Sequence, residues 1–200
     1  MAVIKNDTFT EASDTPLESH TSDSGGGWEG ADASNCTVVA ATDTLSDEGA
    51  TDETPICDEA NTETDYFAEI IGATLGGTGD SDRIGVFVRG DQDPSTGTAQ
   101  NSTYYTLNMR GDDGWRLQRV NAGSITNLDF DTGYVAANSI TGSTSLKMKL
   151  EVSGTGATVT LNAYIDPDGG GYDLVSSTGD TDAGRITTAG KPGVYIGQVN

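Results

Sequence analysis

The segment ETDYFAE contains three carboxylates that could supply the nucleophile and the acid of a glycoside hydrolase. Glu63, Asp65 and Glu69 all occupy odd positions, so an extended strand would direct the three side chains to one face. Retaining hydrolysis needs two carboxyl groups about 5–5.5 Å apart, and inverting hydrolysis needs about 6.5–9.5 Å. Glu63 and Glu69 are six residues apart, which corresponds to about 20 Å along a strand. The spacing therefore favours an acidic strand end over a catalytic pair.

The other residue types that serve in catalysis are scarce. His20 is the single histidine and lies in the polar segment ESHTSD, which we expect to be a flexible loop that anchors it poorly. A histidine general base or a nucleophile–histidine triad is therefore not expected. Cys36 and Cys57, with one histidine in the chain, cannot complete a four-ligand zinc site. The sequence predicts no catalytic residue and no enzyme activity.

Two kinds of binding site have weak candidates. The loop DPDGGGYD offers Asp166, Asp168 and Asp173 as oxygen ligands for calcium, but it lacks the third early carboxylate and the terminal glutamate of an EF-hand. A hairpin turn is the preferred interpretation, with one bound Ca²⁺ as the alternative and no other cofactor expected. Exposed tyrosines could stack on the C–H faces of sugars. Tyr104, Tyr164 and Tyr195 fall opposite the apolar stripes of their strands, where they could equally pack at the rim of a sandwich.

The elements that would position these residues are short strands. Residues 104–120, YYTLNMRGDDGWRLQRV, alternate in polarity on both sides of a DDG turn and predict a β-hairpin. Leu107 and Met109 share a face with Trp115 and Leu117 if the connection has an odd number of residues. A three-residue loop over 112–114 fits, with Gly114 in the left-handed conformation of a bulged turn.

A second pair of strands has the clearest pattern. Residues 144–152 and 157–165 alternate strictly, so that one face is apolar while Lys147, Lys149 and Glu151 point to water. We expect one shared core that contains Leu146, Met148, Leu150, Val152, Val159 and Leu161.

About eleven or twelve such strands, separated by turn signals, predict an all-β fold, a two-sheet antiparallel jelly-roll sandwich. No linker is evident, so residues 1–200 are interpreted as one domain. Within it, residues 1–30 form an N-terminal strand and a long loop, residues 31–64 form an acidic excursion, and residues 65–199 supply the main strands.

The charge of the chain is large and uneven. The net charge is −21, and residues 1–82 hold 19 acidic residues against one lysine, whereas residues 83–200 hold 12 acidic residues against nine basic ones. A chain this acidic repels phosphate backbones and anionic membranes, so neither nucleic acid nor membrane is an expected partner. The start of the chain, MAVIKNDTFTEASD, lacks the apolar core of a secretory signal. We therefore expect synthesis in a host cytoplasm with reduced cysteines, although a Cys36–Cys57 disulfide formed outside the cell stays open.

The order of the segments resembles the concanavalin A-like lectin/glucanase jelly-roll superfamily, which includes laminin-G-like domains. DTFT and GGGW precede DYFAEIIGATL, RIGVFVR and the hairpin, and LKMKLEVSGTGATVTLNAYID, DPDGGGYDLVSSTGD and GRITTAGKPGVYIG follow, over roughly residues 7–199. Members of this superfamily bind glycans, hydrolyse β-glucans or serve as non-catalytic modules, including on phage particles, so the fold alone selects none of these functions.

The resemblance and the missing catalytic groups together suggest a non-enzymatic structural or interaction protein. The expected location is the surface of a phage virion, as a capsid decoration or fibre-associated jelly roll, with the capsid shell and further copies of the chain as partners. The alternative is a lectin-like module that binds host-surface glycans, and the remote alternative is a β-glucan hydrolase.

Overall fold

Alternation of apolar and polar residues produces strands through most of the chain that the structure describes. The computed structural model describes residues 7–9, 11–21, 23, 28–29, 36–39, 44–47, 56–57, 61–75, 83–91, 103–111, 113–141 and 144–197. The first strands in this part are β1 Thr15–Pro16, β2 Trp28–Glu29, β3 Cys36–Val39, β4 Thr44–Asp47, β5 Ile56–Cys57, β6 Tyr66–Ala73 and β7 Arg83–Asp91. They are followed by β8 Thr103–Arg110, β9 Trp115–Asn121, β10 Ser124–Asp131, β11 Leu146–Ser153, β12 Val159–Asp166, β13 Asp173–Asp180 and β14 Lys191–Gly197.

These strands form two main sheets with antiparallel pairing. One sheet has seven strands in the order β10-β9-β8-β7-β14-β5-β2, and the other has four in the order β13-β12-β11-β6. Strands β1, β3 and β4 form a small third sheet. Helix is limited to the 3₁₀ turn Leu17–Ser19 and the single turn α1, Tyr134–Ala137, in the described residues. The predicted all-β sandwich of two antiparallel sheets is confirmed.

The main core lies between the two large sheets. Strand β11 buries every second residue, and β12 does so over most of its length, because successive side chains on a strand point to opposite faces. The six core residues predicted from the sequence all belong to one buried cluster. They are Leu146, Met148, Leu150, Val152, Val159 and Leu161.

The central hairpin, β8–β9, has the predicted parity. Leu107 lies opposite Leu117 and Met109 lies opposite Trp115. All four side chains are buried in the main core. The odd-to-odd register therefore brings both apolar faces of the hairpin to the same side of the sheet.

The turn of this hairpin differs from the prediction. The Arg110 backbone N–H donates to the Gly114 carbonyl at 2.8 Å, so the connection is residues 111–113 rather than 112–114. Gly114 does not have a left-handed φ. A Cβ atom there would lie 1.8 Å from the Asp131 carbonyl oxygen. Glycine is needed at this position because another backbone segment approaches it, not because the turn requires an unusual dihedral angle.

The acidic N-terminal portion contains more pairing than expected. Within the predicted acidic excursion, β3 and β4 form an antiparallel pair. Strand β5, in the predicted acidic excursion, pairs with both β14 and β2. Side chains of Cys36 and Cys57 lie outside the described part of the structure. No helix in the described residues is long and apolar enough to cross a membrane.

One end of the sandwich is closed by a buried arginine. Arg89 is 1% exposed and has a left-handed φ of 54°. Its guanidinium donates to the carbonyls of Thr64 at 2.6 Å and Gly154 at 2.8 Å and to that of Ile186. Its backbone N–H donates to the Tyr66 hydroxyl. A single side chain is thus hydrogen-bonded to the segment before β6, to the turn between β11 and β12 and to the connection from β13 to β14.

A second buried charge lies beside this closure. Arg119 Nη1 donates to both carboxylate oxygens of Asp180, at 2.9 and 2.8 Å. The Tyr105 hydroxyl donates to the same carboxylate at 2.8 Å and accepts the Ile186 backbone N–H at 2.9 Å. Burial raises the pKa of Tyr105, which keeps the phenol protonated as a donor. Ile186 is therefore held from both sides, by Arg89 and by Tyr105.

We expect Arg89→Met to lower the free energy of unfolding by at least about 3 kcal/mol, because one buried and two partly buried carbonyls lose a charged donor. The matched control is Arg185→Met, which removes an exposed guanidinium that also donates to carbonyls, those of Gly156 and Asp182. Water replaces those bonds, so the control should lose less than about 1 kcal/mol. Urea unfolding of both variants measures the difference, and equal losses would contradict the role of Arg89.

Candidate ligand-binding cleft

A polar cleft lies on the outer face of the seven-stranded sheet, on the side opposite the core. Strand β8 is buried on both faces, although one of these faces points away from the core. The cleft has a volume of about 430 Å³. Its described lining consists of Arg83, Tyr104, Thr106, Asn108, Arg110, Arg116, Gln118, Val120, Gly123, Ile125, Asn127 and Tyr195.

Side-chain amides form a row across the middle of the cleft. Asn108 Nδ2 donates to Gln118 Oε1 at 2.9 Å, and Gln118 Nε2 donates to Asn127 Oδ1 at 2.7 Å. In the strand register, Asn127 of β10 lies opposite Gln118 of β9, and Gln118 lies opposite Thr106 of β8. Because each amide fixes the orientation of the next, the row presents a carbonyl oxygen at one end and an N–H group at the other.

Aromatic rings lie beside this row. Tyr104 packs against Phe87 with ring centroids 5.2 Å apart, and Tyr195 lies on β14, opposite Gly85 of β7. The structure therefore brings two of the three tyrosines suggested by the sequence into one cleft. Both residues are more than nine-tenths buried, so neither ring is an open platform for the face of a sugar.

A glycine keeps the floor of the cleft open. Gly85 has Asn108 on one side and Tyr195 on the other in the strand register. A Cβ atom at Gly85 would lie 2.2 Å from the Leu107 carbonyl oxygen. The close approach of the β8 backbone therefore excludes any side chain between Asn108 and Tyr195.

Three arginines line one end of the cleft, and the sequence interpretation missed them. Arg83 lies directly opposite Arg110 on the β7–β8 pair, and Arg116 lies opposite Asn108 on the β8–β9 pair. None of the described lining residues is acidic. The signal in the sequence is that four even positions of the hairpin, 108, 110, 116 and 118, are amides or arginines in an otherwise acidic chain.

The third suggested tyrosine, Tyr164, lies on the outer face of the four-stranded sheet. The Lys149 ammonium is 4.3 Å from the centroid of its ring and 5.3 Å from that of Tyr172. The Tyr164 hydroxyl donates to Glu151 at 3.1 Å, and Lys149 forms an ion pair with Glu151 at 3.0 Å. The prediction that Lys149 and Glu151 simply point to water was wrong, because both side chains are half-buried in this network.

Two of the three suggested calcium ligands, Asp166 and Asp168, hydrogen-bond the backbone of their own turn. Asp166 accepts from Lys147 Nζ at 2.8 Å and from the Gly169 backbone at 2.6 Å. The Lys147 hydrogen bond, helped by those from the turn backbone, lowers the pKa of Asp166. Asp168 caps the Gly170 N–H at 2.9 Å, and Asp173 begins β13 in an exposed position. Across the described residues, no three His, Cys, Asp or Glu side chains are placed to hold a metal ion.

The carboxylates of ETDYFAE also have structural partners. Asp65 accepts the Gly154 backbone N–H at 2.9 Å, just before β6 begins. Glu69, within β6, accepts the Tyr172 hydroxyl at 2.7 Å. Glu63 is exposed in the segment that precedes β6. All three lie outside the described lining of the cleft.

His20 is not poorly anchored, and that expectation was wrong. Its Nε2 is 2.7 Å from Asp7 and its Nδ1 is 2.7 Å from Glu11. Asp7 also accepts the Trp28 indole N–H at 2.6 Å. Burial alone lowers the pKa of His20, but the hydrogen bonds and charges of the two carboxylates outweigh burial and raise it above 6.5. Through these two carboxylates the ring holds the N-terminal segment, where Phe9 packs on Trp28 with centroids 5.7 Å apart.

The fold and the cleft together define a class, a β-sandwich with a polar cleft on one sheet and arginines at one end of that cleft. No protein-family model, curated protein or solved structure matches the chain.

We expect the stability contributed by His20 to be complete below about pH 6.5 and to be lost as the pH rises through its raised folded-state pKa. The neutral ring keeps one proton, so one nitrogen would then face a carboxylate without a donor. The difference in unfolding free energy between the wild type and His20→Gln, followed from pH 6 to pH 9, measures this contribution. A difference that grows with pH would contradict the assignment, as would an NMR-titrated pKa of His20 below 6.5.

Proposed function

We propose that the protein is a non-catalytic binding protein and that its cleft takes a saccharide. The observation that carries this proposal is the row of amides, Asn108, Gln118 and Asn127, set across the outer face of the seven-stranded sheet between tyrosines. Sugar hydroxyls both donate and accept hydrogen bonds, and amides do the same from one rigid group. The resemblance to lectin-like jelly rolls points to the same ligand class.

The size and rigidity of the cleft support a small ligand or a short section of a polymer. A volume of about 430 Å³ falls in the range of about 300–1,000 Å³ that is typical of ligand sites. The amides lie on paired strands and are oriented by hydrogen bonds to each other. Little side-chain entropy would then be lost on binding, because the polar groups are already ordered.

We expect Gln118→Ala to weaken binding to the best ligand of a glycan array by about 10-fold or more, since the central amide orients both of its neighbours. The matched control is Asn162→Ala on the outer face of the other sheet, where Asn162 Oδ1 accepts the Ser177 hydroxyl at 2.8 Å. The control should keep wild-type affinity. Equal losses in both variants, or no loss in Gln118→Ala, would contradict a saccharide site in this cleft.

We also propose, as a second function, attachment to the surface of a larger particle such as a phage capsid. The supporting observation is that β10 and β13, the outermost strands at one side of the described sheets, carry exposed apolar side chains. Ile125 is 64% exposed, and Phe130 and Leu174 are each 55% exposed. Apolar side chains on open strand edges are typical of interaction surfaces. All three residues belong to the portion of the chain that carries little net charge.

We expect self-association of the purified chain to strengthen between about 0.01 M and 0.15 M salt. Over this range the screening length shortens from about 30 Å to about 8 Å, so the repulsion between the acidic portions of neighbouring copies becomes weaker. Sedimentation velocity across a salt series measures this association. Phe130→Ser with Leu174→Ser should abolish it, whereas Thr160→Ser, an exposed polar change on β12, should not. Association that falls steadily with salt would mean that the acidic portion docks, and a monomer at every salt concentration would exclude this surface.

A further inference from the structure

The latch segment, which consists of Asp7, Thr8, Phe9 and Glu11, is held in place by a buried histidine. The side chain of His20 is 2% exposed and that of Asp7 is 4% exposed, whereas that of Glu11 is 27% exposed. The two ring nitrogens of His20 are each 2.7 Å from one of these carboxylates. Both nitrogens can donate only when the ring is protonated. The closed position of the latch segment therefore depends on the positive charge of His20.

Asp7 is the contact through which this charge acts on the rest of the protein. Its carboxylate accepts from His20 Nε2, from the Trp28 indole N–H at 2.6 Å and from the Phe9 backbone N–H at 2.9 Å. Among the described residues, His20 is the cation paired with Asp7. A buried carboxylate is costly unless an opposite charge compensates it. Loss of the histidine proton leaves Asp7 with neutral donors in a buried site, and exposure to water removes that cost.

The charged surroundings of His20 are simple. Asp7 and Glu11 are the described charged groups that act on the ring. The other ring beside it is that of Phe9, with centroids 6.0 Å apart, which carries no charge. Asp23 is used by Thr8 instead, because its Oδ2 accepts the Thr8 backbone N–H at 2.9 Å and the Thr8 hydroxyl at 2.7 Å. These two hydrogen bonds are exposed, so water can replace them.

The closed latch segment is also strained. Phe9 has a left-handed φ of 53°, which is uncommon and unfavourable for a bulky side chain. Its ring packs on Trp28 over a small apolar cluster separate from the main core, made of Leu17, Trp28, Val38 and Val194. Release of the latch segment would relieve this backbone conformation and uncover one face of Trp28. The contacts made by His20 therefore oppose a segment that is predisposed to open.

We propose that the latch segment is a pH-controlled latch, which covers Trp28 while His20 is protonated and moves away from Trp28 when His20 loses its proton. The rest of the sandwich stays folded in the open state. This inference is independent of the proposed saccharide function, because none of these residues belongs to the described lining of the cleft.

The direction of the pH effect follows from the two states of the ring. Burial lowers the pKa of His20 in the closed state, but the hydrogen bonds and charges of Asp7 and Glu11 outweigh burial and raise it above 6.5. In the open state the ring is solvated and its pKa returns to about 6.5. Opening is therefore coupled to the loss of one proton. The opening equilibrium constant should rise by up to about 10-fold per pH unit between these two pKa values and stay level outside them.

The indole N–H of Trp28 reports the latch, because its hydrogen bond to Asp7 exists in the closed position. Hydrogen exchange of the two indoles, Trp28 and Trp115, is measured in the wild type from about pH 6 to pH 9 and corrected for the intrinsic effect of pH on exchange. Trp115 belongs to the main core, so its exchange requires global unfolding. We expect weaker protection at Trp28 than at Trp115, and a fall in the Trp28 protection by up to about 10-fold per pH unit above 6.5. Low urea should weaken protection at Trp115 but not at Trp28, since local opening exposes little surface.

Two variants with the same change in charge test the role of the carboxylates. Glu11→Gln removes the more exposed partner of His20, so the upper end of the pH window should move to lower pH together with the NMR-titrated pKa of His20. The matched control is Asp23→Asn, which weakens the exposed contact with Thr8 and should leave the window where it is.

Each result decides for or against the latch. Trp28 protection that stays constant with pH would overturn it, and the wild-type measurement gives this answer even if Glu11→Gln does not fold. Equal urea dependence of the two indoles would mean that pH acts through global unfolding, which would also overturn it. A window that moves equally in Glu11→Gln and Asp23→Asn would exclude control by the His20 contacts.

Discussion

The structure depends on one buried guanidinium. Arg89 joins the segment before β6, the turn between β11 and β12, and the connection from β13 to β14. These three segments belong to both main sheets, so the arginine holds the sheets together at one end of the sandwich. Ile186, one of its partners, is fixed on its other side by Tyr105. Arg89 lies on β7 and Ile186 precedes β14, so this closure also connects two of the five strands that contribute described lining residues to the cleft.

The sequence correctly predicts which residues are buried wherever burial follows the two-residue period of a strand. Leu150 and Val159 are buried because every second residue of their strands faces the other sheet. Arg89 breaks this rule. Ile84, Val86 and Val88 alternate inward in RIGVFVRG, so Arg89 would point outward on a regular strand. A left-handed φ and a register shift between Val88 and Asp91 turn it inward instead, and neither feature has a local signature in the residue types.

Residues of the cleft were harder to find, because contacts between distant segments create it. Tyr104 and Tyr195 could be selected from their positions opposite apolar stripes, and they do meet in one cleft. The pairing of Arg83 with Arg110 depends on how β7 aligns with β8 across residues 92–102, and a connection of that length does not set a register. His20 shows the same limit, since the carboxylates of Asp7 and Glu11 that bury it come from a separate segment.

The position of β14 affects how the protein is made. This strand is inserted between β7 and β5, and its last pair joins Gly197 to Arg83. During synthesis, β7 therefore keeps an open edge until residues 191–197 have left the ribosome, and the Tyr195 wall of the cleft is the last part to form. Long-range pairing of this kind slows folding and exposes unpaired edges while the chain waits. A ribosome-bound chain that stops before β14 contains all the strands of the four-stranded sheet, whereas its cleft lacks the wall that Tyr195 supplies.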